Sequence, residues 1–477
     1  MITCYVRKST QYLTYYDIVS FILNFSQRTV TILTKKTDRS TAISVLLDIF
    51  ENGAYANIAL RKALSESELD SQKRAFITDI VNETLRNLIN IDYTINSFSK
   101  THTSEMKPFV ANLLRISVCQ IRFIEKVPNR ATVNEAVILA KTYGYENLAG
   151  FVNAVLRNII REYENGIQEE VLKKTNNPAT IKGLALKYSY PKWLMEKLFL
   201  WLNTDTSNST AYDNVINFCK HSHTPPPVVV LANLVKTTLP ALEKNLQLDN
   251  IETKRLDNSH HPFLILNRPG DITRLQTFQD GHFFVIDPGA MTAVDAIAPK
   301  LGETIIDMCA APGGKSFAMA GLMNNEGKIL AFDIHKHRME LINQTKKRMG
   351  LSIISPAVQD ATVFDKKLEG IADAVLVDAP CTGFGTIRKH PEIKYNRQPM
   401  DSKEMAILQR QILNNAATYL KKGGRLVYCT CTISTDENQN TITHFLDTNK
   451  NFELTSQIQI MPSALSDAFF VAHLNKK

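Results

Sequence analysis

The sequence predicts a multidomain protein: an all-α N-terminal domain, a small α+β middle domain and a doubly wound α/β domain towards the C-terminus. Three observations lead there. Apolar residues recur at three- and four-residue spacing, with few glycines or prolines, from residue 41 to about 163. A proline triplet, Pro225-Pro226-Pro227, then breaks that pattern and is followed by short β-branched and aromatic runs. From residue 303 onward, short apolar runs alternate with helical stretches, as a parallel sheet covered by helices requires. A chain of 477 residues has room for three such units at roughly 150 residues each.

Residues 1–40 form an extension whose role the sequence does not reveal. Residues 41–165 form the helical domain, with one apolar stripe at Ile43, Leu46, Leu47 and Phe50, another at Val133, Val137 and Ala140, and a third at Phe151, Val155, Leu156 and Ile159. Between the stripes recur Arg61, Lys62, Lys73, Arg74, Arg115, Arg122, Lys126, Arg130, Arg157 and Arg161, which make either an RNA-binding face or ordinary solvated helix surfaces. A polar linker over 165–177 leads to the α+β domain, 178–290, whose strands are expected at 228–231, 263–266 and 283–286. In the α/β domain, 291–477, strands are expected at 304–308, 328–332, 374–377 and 425–429. Helices are expected at 316–323, 335–349 and 402–420, the last stopped by Gly423-Gly424.

Composition narrows the class of function. Hydrophobic residues make up 44% and charged residues 21%, which excludes disordered, collagen-like and coiled-coil chains. The net charge of +8 permits a polyanionic partner without establishing one. Seven cysteines without a paired framework fit a reducing cytoplasm, and the absence of C-x-x-C pairs argues against zinc, so no metal is expected. No run of 18 apolar residues occurs, so no membrane partner is expected, and residues 15–25 lack the pattern of a signal peptide.

Chemistry concentrates where apolar runs end. The segment Ile305-Ile306-Asp307-Met308-Cys309-Ala310-Ala311-Pro312-Gly313-Gly314-Lys315 is a buried strand entering a small-residue turn and then a helix, where backbone N–H groups can approach a nucleotide-type cofactor. A phosphate-cradling loop of the G-x-x-x-x-G-K-[ST] kind would need glycine at Cys309, which disfavours ATP hydrolysis. G-x-G-x-x-G is absent too, which removes support for hydride transfer. Asp333, 18 residues after Lys315 and at the end of an apolar run, suits ribose hydroxyls, and Asp360 could share that rim. Two further runs end in V-D-A-P-C-T-G-F-G, with Asp378 and Cys381, and in V-Y-C-T-C-T, with Cys429 and Cys431.

Together and in this order, D-M-C-A-A-P-G-G-K, V-D-A-P-C-T-G-F-G and V-Y-C-T-C-T resemble the motifs of the Sun (Fmu) family, S-adenosylmethionine-dependent RNA cytosine-5 methyltransferases. Thr132-Val133-Asn134-Glu135-Ala136-Val137, Lys141-Thr142-Tyr143-Gly144 and the stretch from Phe151 to Ile159 resemble NusB-type RNA-binding domains. The resemblance spans residues 40–475. It implies a NusB-like helical domain, an RNA-positioning middle domain and a Rossmann-like class I methyltransferase domain. The implied cofactor is S-adenosyl-L-methionine and the implied partner 16S rRNA, met by a cytoplasmic monomer.

Carried over by motif, Cys309, Ala310, Ala311, Pro312, Gly313, Gly314 and Lys315 form the methyl-donor loop, Asp333 binds the ribose and Asp360 the adenine side, and Asp378 lies between cofactor and target base. Cys431 matches the nucleophile and Cys381 the thiol that helps release product; Cys429 is an extra thiol. Such chemistry needs two thiols and an acid. C5 of cytosine is a poor nucleophile until a thiolate adds to C6, and a carboxyl held protonated in a desolvated pocket at Asp378 would stabilise the adduct at N3. The base must also leave its stack. Arg388, Lys389, His390 and Lys394 resemble the family's R-x-H-P-D-[IV]-[KR]-[WY] stretch and are expected to touch RNA. Leu231, Ile286 and Ala468 depart from the family's arginine, glutamine and glycine. Two rival functions stay open: methylation of tRNA or another rRNA site, and a non-catalytic RNA-binding or assembly factor.

Overall fold

The computed structural model describes residues 37–65, 69–124, 127–164, 180–203, 210–257 and 259–477. The extension up to residue 36, the polar linker over 165–177 and Lys126 lie outside the described residues. The chain divides into two compact units, one containing 37–84 and 91–164, the other containing Leu85–Asn90 and 180–477.

The first unit is helical throughout. Its first helix, Asp38–Asn52, starts at Thr37, whose hydroxyl and that of Ser40 cap each other's backbone N–H, and stops at Gly53 in the left-handed region. Ile43, Leu46 and Ile49 face the core, while Leu47 and Phe50 lie at its margin. The apolar stripe is thus rotated from the expected one, and Phe50 instead carries the Arg115 guanidinium 5.1 Å above its ring. Helices Pro108–Phe123, Asn129–Thr142 and Ala149–Glu164 complete that core with Leu113, Leu114, Val133, Ala140, Val152 and Leu156. Several of the basic residues are engaged inside this unit. Arg115 forks onto Asp92 with two 2.8 Å bonds, Arg122 donates to the Thr94 hydroxyl, and Arg74 donates to the Leu64 carbonyl.

In the second unit, strands β1 (Val228–Ala232), β2 (Glu252–Arg255), β3 (Phe263–Asn267) and β4 (Phe283–Val285) form an antiparallel sheet in the order β2-β3-β1-β4. The charged edge strand β2 has no apolar signature, and only its pairing with β3 makes it a strand. The larger sheet contains β5 (Thr304–Asp307), β6 (Lys328–Asp333), β7 (Ile354–Val358), β8 (Ala372–Asp378), β9 (Leu420–Thr430), β10 (Phe452–Ile460) and β11 (Phe469–Lys476). Its order is β10-β11-β9-β8-β5-β6-β7, and only the pairings of β11 are antiparallel. The doubly wound expectation therefore holds with one amendment: a reversed strand makes the sheet mixed.

Both faces of the parallel part are covered. On β8, Ala374 and Leu376 join one core while Val375 and Val377 join the other, which is why the run is apolar without alternation. The helices expected on these faces are Gly314–Leu322, Lys336–Met349 and Asp401–Tyr419. One reading is corrected here. Gly423-Gly424 does not stop the last helix, which ends at Tyr419. Both glycines lie within β9, where four residues, 421–424, bulge out opposite Asp373 of β8, and Gly423 takes φ +74°. Chain order reverses between β5 and β8, so the loops after β5, β6, β7, β8 and β9 gather at one sheet edge, outside a topological switch point.

Candidate active site

The loop after β5 is shaped by glycine. Gly313 sits at φ +106°, and a Cβ there would fall 2.4 Å from the Phe317 ring. It begins helix Gly314–Leu322, and the Ala310 N–H donates to the Phe332 carbonyl at 2.7 Å, tying the loop to β6. Ile286, which departs from the family's glutamine, is buried in ordinary contact with the Cβ direction of Gly314, so it supports the loop from below. Leu231 and Ala468, the other departures, are likewise buried, and the Ala468 N–H donates to the Gly385 carbonyl.

Asp307 closes β5 fully buried. Its Oδ2 accepts from Ser316 Oγ at 2.7 Å, and its Oδ1 meets no hydrogen-bond partner among the described residues. Burial, reinforced by the nearby Asp378 charge, pushes its carboxyl up to about 7. Asp333 at the end of β6 accepts from the His335 N–H and lies 3.8 Å from Arg338. Asp360, beyond β7, accepts from the Thr362 hydroxyl and N–H, which hold it below the usual carboxylate range.

The other side of the edge carries the thiols. Cys381 Sγ, after β8, and Cys431 Sγ, after β9, are 3.3 Å apart and partly exposed. The contact with Cys431 and burial both push the Cys381 thiol up. Behind each cysteine stands a threonine, and the hydroxyls of Thr382 and Thr432 meet at 3.0 Å. Glu437 gathers this joint: its carboxylate accepts from the Thr382 N–H at 2.9 Å, from the Thr382 hydroxyl at 2.5 Å and from Gln409 at 3.0 Å. Burial pushes Glu437 up to about 7. Gly385 allows the two loops to close together, because a Cβ there would meet the Ala468 carbonyl oxygen at 2.4 Å and that of Cys431 at 2.8 Å.

Between these halves, Lys315 Nζ donates to Asp378 Oδ2 at 2.6 Å, and Cys429 Sγ lies 3.4 Å from Asp378 Oδ1. Burial pulls the Lys315 ammonium down, but Asp378 and the neighbouring thiols outweigh it and leave it raised. Asp378, the acid that the sequence placed at the base, is thus accompanied by a proton donor, Lys315.

Of the four basic residues expected to touch RNA after Cys381, Arg388 and Lys394 are buried, while Lys389 is exposed and His390 half-buried. Arg388 is buried, with Nη1 on the Ser463 carbonyl at 2.8 Å and Nη2 on those of Pro225 and Ala464. Lys394 is buried too; its Nζ donates to the carbonyls of Arg86 and Tyr188 and lies over the Tyr190 ring. Lys389 is held by Asp287 at 2.7 Å and Asp467 at 2.8 Å. His390 is half-buried with Nδ1 3.6 Å from Glu392. Charges bound to internal carbonyls and carboxylates are not available to phosphates, so Arg388 and Lys394 pin the loop instead of reading RNA. Sequence reasoning missed Asp307, Ser316 and Glu437; the first, an acid inside an apolar strand run, was the detectable one.

A switch-point cleft in a seven-stranded sheet with one reversed strand, joined to an all-helical unit, defines the class: a methyltransferase domain with a helical companion. Residues 294–475 match the family described as 16S rRNA methyltransferase RsmB/F, and residues 36–161 match the NusB family. Over 463 residues the chain is 34% identical to the probable ribosomal RNA small subunit methyltransferase B of Bacillus subtilis (strain 168), covering 93% of this chain and 100% of that protein. It is 30% identical over 458 residues to the protein of the same description in Synechocystis sp. (strain ATCC 27184 / PCC 6803 / Kazusa), covering 92% and 99%. The crystal structure of PH0851 superposes with a TM-score of 0.75 at 26% identity, covering 93% of this chain and 99% of that one. A methyltransferase homolog protein from Pyrococcus horikoshii gives 0.53 at 26% identity, covering 61% and 97%. The chain belongs to the RsmB/F family of 16S rRNA methyltransferases and carries a NusB-family domain. No described helix is long and apolar enough to cross a membrane.

Proposed function

We propose that this protein methylates C5 of a cytosine in 16S rRNA with S-adenosylmethionine as donor, through a transient bond between Cys431 Sγ and C6 of the base. The observation that carries the reading is the pair of thiols 3.3 Å apart beside the partly buried Lys315–Asp378 pair. A methyl transfer to oxygen or an exocyclic nitrogen has no use for two adjoining thiols, whereas C5 needs one to add and one to help reverse the addition.

The residues present suit that donor. The turn at Gly313 leaves no room for a side chain, Asp307 presents a buried oxygen without a partner among the described residues, and Asp333 and Asp360 stand at successive strand ends. When bound, S-adenosylmethionine supplies an electrophilic methyl group on a sulfonium centre. Asp333 would hold its ribose, Asp360 its adenine side, and the backbone of residues 309–315 the remainder.

In this reading Cys431 adds to C6 as a thiolate, and the electron pair moves to C5 while Lys315 and Asp378 supply a proton or hydrogen bond at N3. C5 then takes the methyl group. Cys381, or a water it holds, takes part in removing the C5 proton, the C5–C6 double bond re-forms and Cys431 leaves. Bisulfite mapping of 16S rRNA incubated with the protein and S-adenosylmethionine should show one newly protected cytosine. Methyl incorporation without a protected cytosine would refute the C5 assignment.

A further inference from the structure

Cys429 is not used by the reaction just described, yet it is fully buried and its Sγ lies 3.4 Å from Asp378 Oδ1. The placement follows from strand geometry. Asp378 and Cys429 are register partners on the parallel strands β8 and β9. Cys429 is buried within β9, whereas Cys431 follows the end of the strand and is partly exposed. The Asp378 charge acts on Lys315 from helix Gly314–Leu322, Asp307 from β5, Cys309 from the loop after it, and Cys429 from β9.

We propose that Cys429 is a positioning residue for Asp378: its S–H donates to Oδ1 while Lys315 donates to Oδ2, so the carboxylate is held from both ends. The inference rests on the cytosine-5 reading above, because it assigns Asp378 its place at the base. A carboxylate anchored at one oxygen only can swing about its Cβ–Cγ bond; a second donor on the other oxygen removes that freedom and fixes the lone pairs left for the substrate. Burial and the Asp378 charge push the Cys429 thiol up, which keeps it an S–H donor. A thiol also fills the close-packed floor, where Val427 and Val471 belong to the same core.

Donation and filling are separable by substitution. With full-length protein, 16S rRNA and S-adenosylmethionine, Cys429→Val keeps the volume and removes the donor, Cys429→Ala removes both, and Cys429→Ser restores a donor. Val and Ala should lower kcat by about three- to ten-fold, the effect of losing a weak donor to a charged group, with KM for the methyl donor little changed. The acid limb of their kcat–pH profiles should move to higher pH, because a carboxylate that has lost a donor keeps its proton more readily. Ser should return both quantities towards wild type. Melting temperatures of each variant identify losses due to unfolding. If Val retains the wild-type kcat and acid limb, or Ser fails to recover them in a folded protein, Cys429 only fills space and the proposal is wrong. Absence of 5-methylcytosine with the wild-type protein would instead remove the reading on which it rests.

Discussion

At the sheet edge, the β8–β9 side and the β6–β7 side are built on different plans. Beside β8 and β9, each carboxylate is bonded to side chains far away in sequence: Asp378 to Lys315 and Cys429, Glu437 to Thr382 and Gln409. Beside β6 and β7, Asp333 and Asp360 bond mainly to the chain within two residues of themselves, at the His335 N–H and at Thr362. The first side is assembled before any ligand arrives, as a site that stabilises developing charge must be. The second consists of short turns that present carboxylate oxygens and is suited to binding. In the proposed reaction, chemistry and cofactor capture fall to separate halves of one edge, so substitutions on the two halves should fail in different ways.

The largest expected effect is on the thiol side. Cys431→Ala should lower turnover by at least about a thousand-fold and abolish covalent capture of RNA, since without addition at C6 the ring carbon stays unreactive. Cys381→Ala should instead allow addition and methylation while slowing elimination, leaving protein joined to RNA through Cys431. Denaturing gels with substrate RNA and S-adenosylmethionine read the adduct directly. An adduct with Cys431→Ala and none with Cys381→Ala would exchange the two roles.

Next in size is Asp378→Asn, which removes the Lys315 ion pair and should reduce kcat by about a hundred-fold, in the range of general acid–base groups, with cofactor affinity changed far less. Asp333→Ala should do the reverse. Loss of a charged acceptor for hydroxyls weakens binding by about 1.5–3 kcal/mol, roughly ten-fold or more, which calorimetric titration with S-adenosylmethionine would measure. If Asp378→Asn weakened cofactor binding as much as Asp333→Ala did, the two halves would not be separate.

How much of this was visible in the sequence follows from which contacts are local. Parallel strands buried on both faces are written as unbroken apolar runs, so β5, β6, β8 and β9 were legible, and with them the positions of Asp333, Asp378, Cys381 and Cys431 at their ends. Strand β7 contains Ser355 and Pro356, and β10 exposes most of its residues on an edge, so neither carries that signature. Glu437 was invisible because its partner Thr382 lies 55 residues away and Gln409 lies 28 away. Arg388 and Lys394 misled for the same reason: a basic stretch resembles an RNA contact until the carbonyls of Ser463, Ala464 and Tyr188 are brought to it by the fold.

The smallest effect tests whether the thiol side stands in tension. Glu437 has a folded-state pKa of about 7 against 4.5 for an ordinary glutamate, with burial as the main cause. A folded state that keeps its proton to higher pH than the unfolded chain is favoured by acid. This group's contribution is therefore complete below about pH 4.5 and is lost as pH rises through about 7. Asp307 titrates in the same direction, from 3.8 to about 7, and is present in both proteins compared. Glu437→Gln keeps an oxygen for the Thr382 N–H and Gln409 while removing the charge, so it isolates one group. Its melting temperature should gain on wild type by about 2–4 °C between pH 5 and 8, the shift that roughly 1 kcal/mol produces in a domain of this size. Parallel melting curves across that range would mean that Glu437 is solvated as well as an ordinary surface acid. The joint between Thr382 and Thr432 would then owe its stability to hydrogen bonds alone, without a strained charge beneath the thiols.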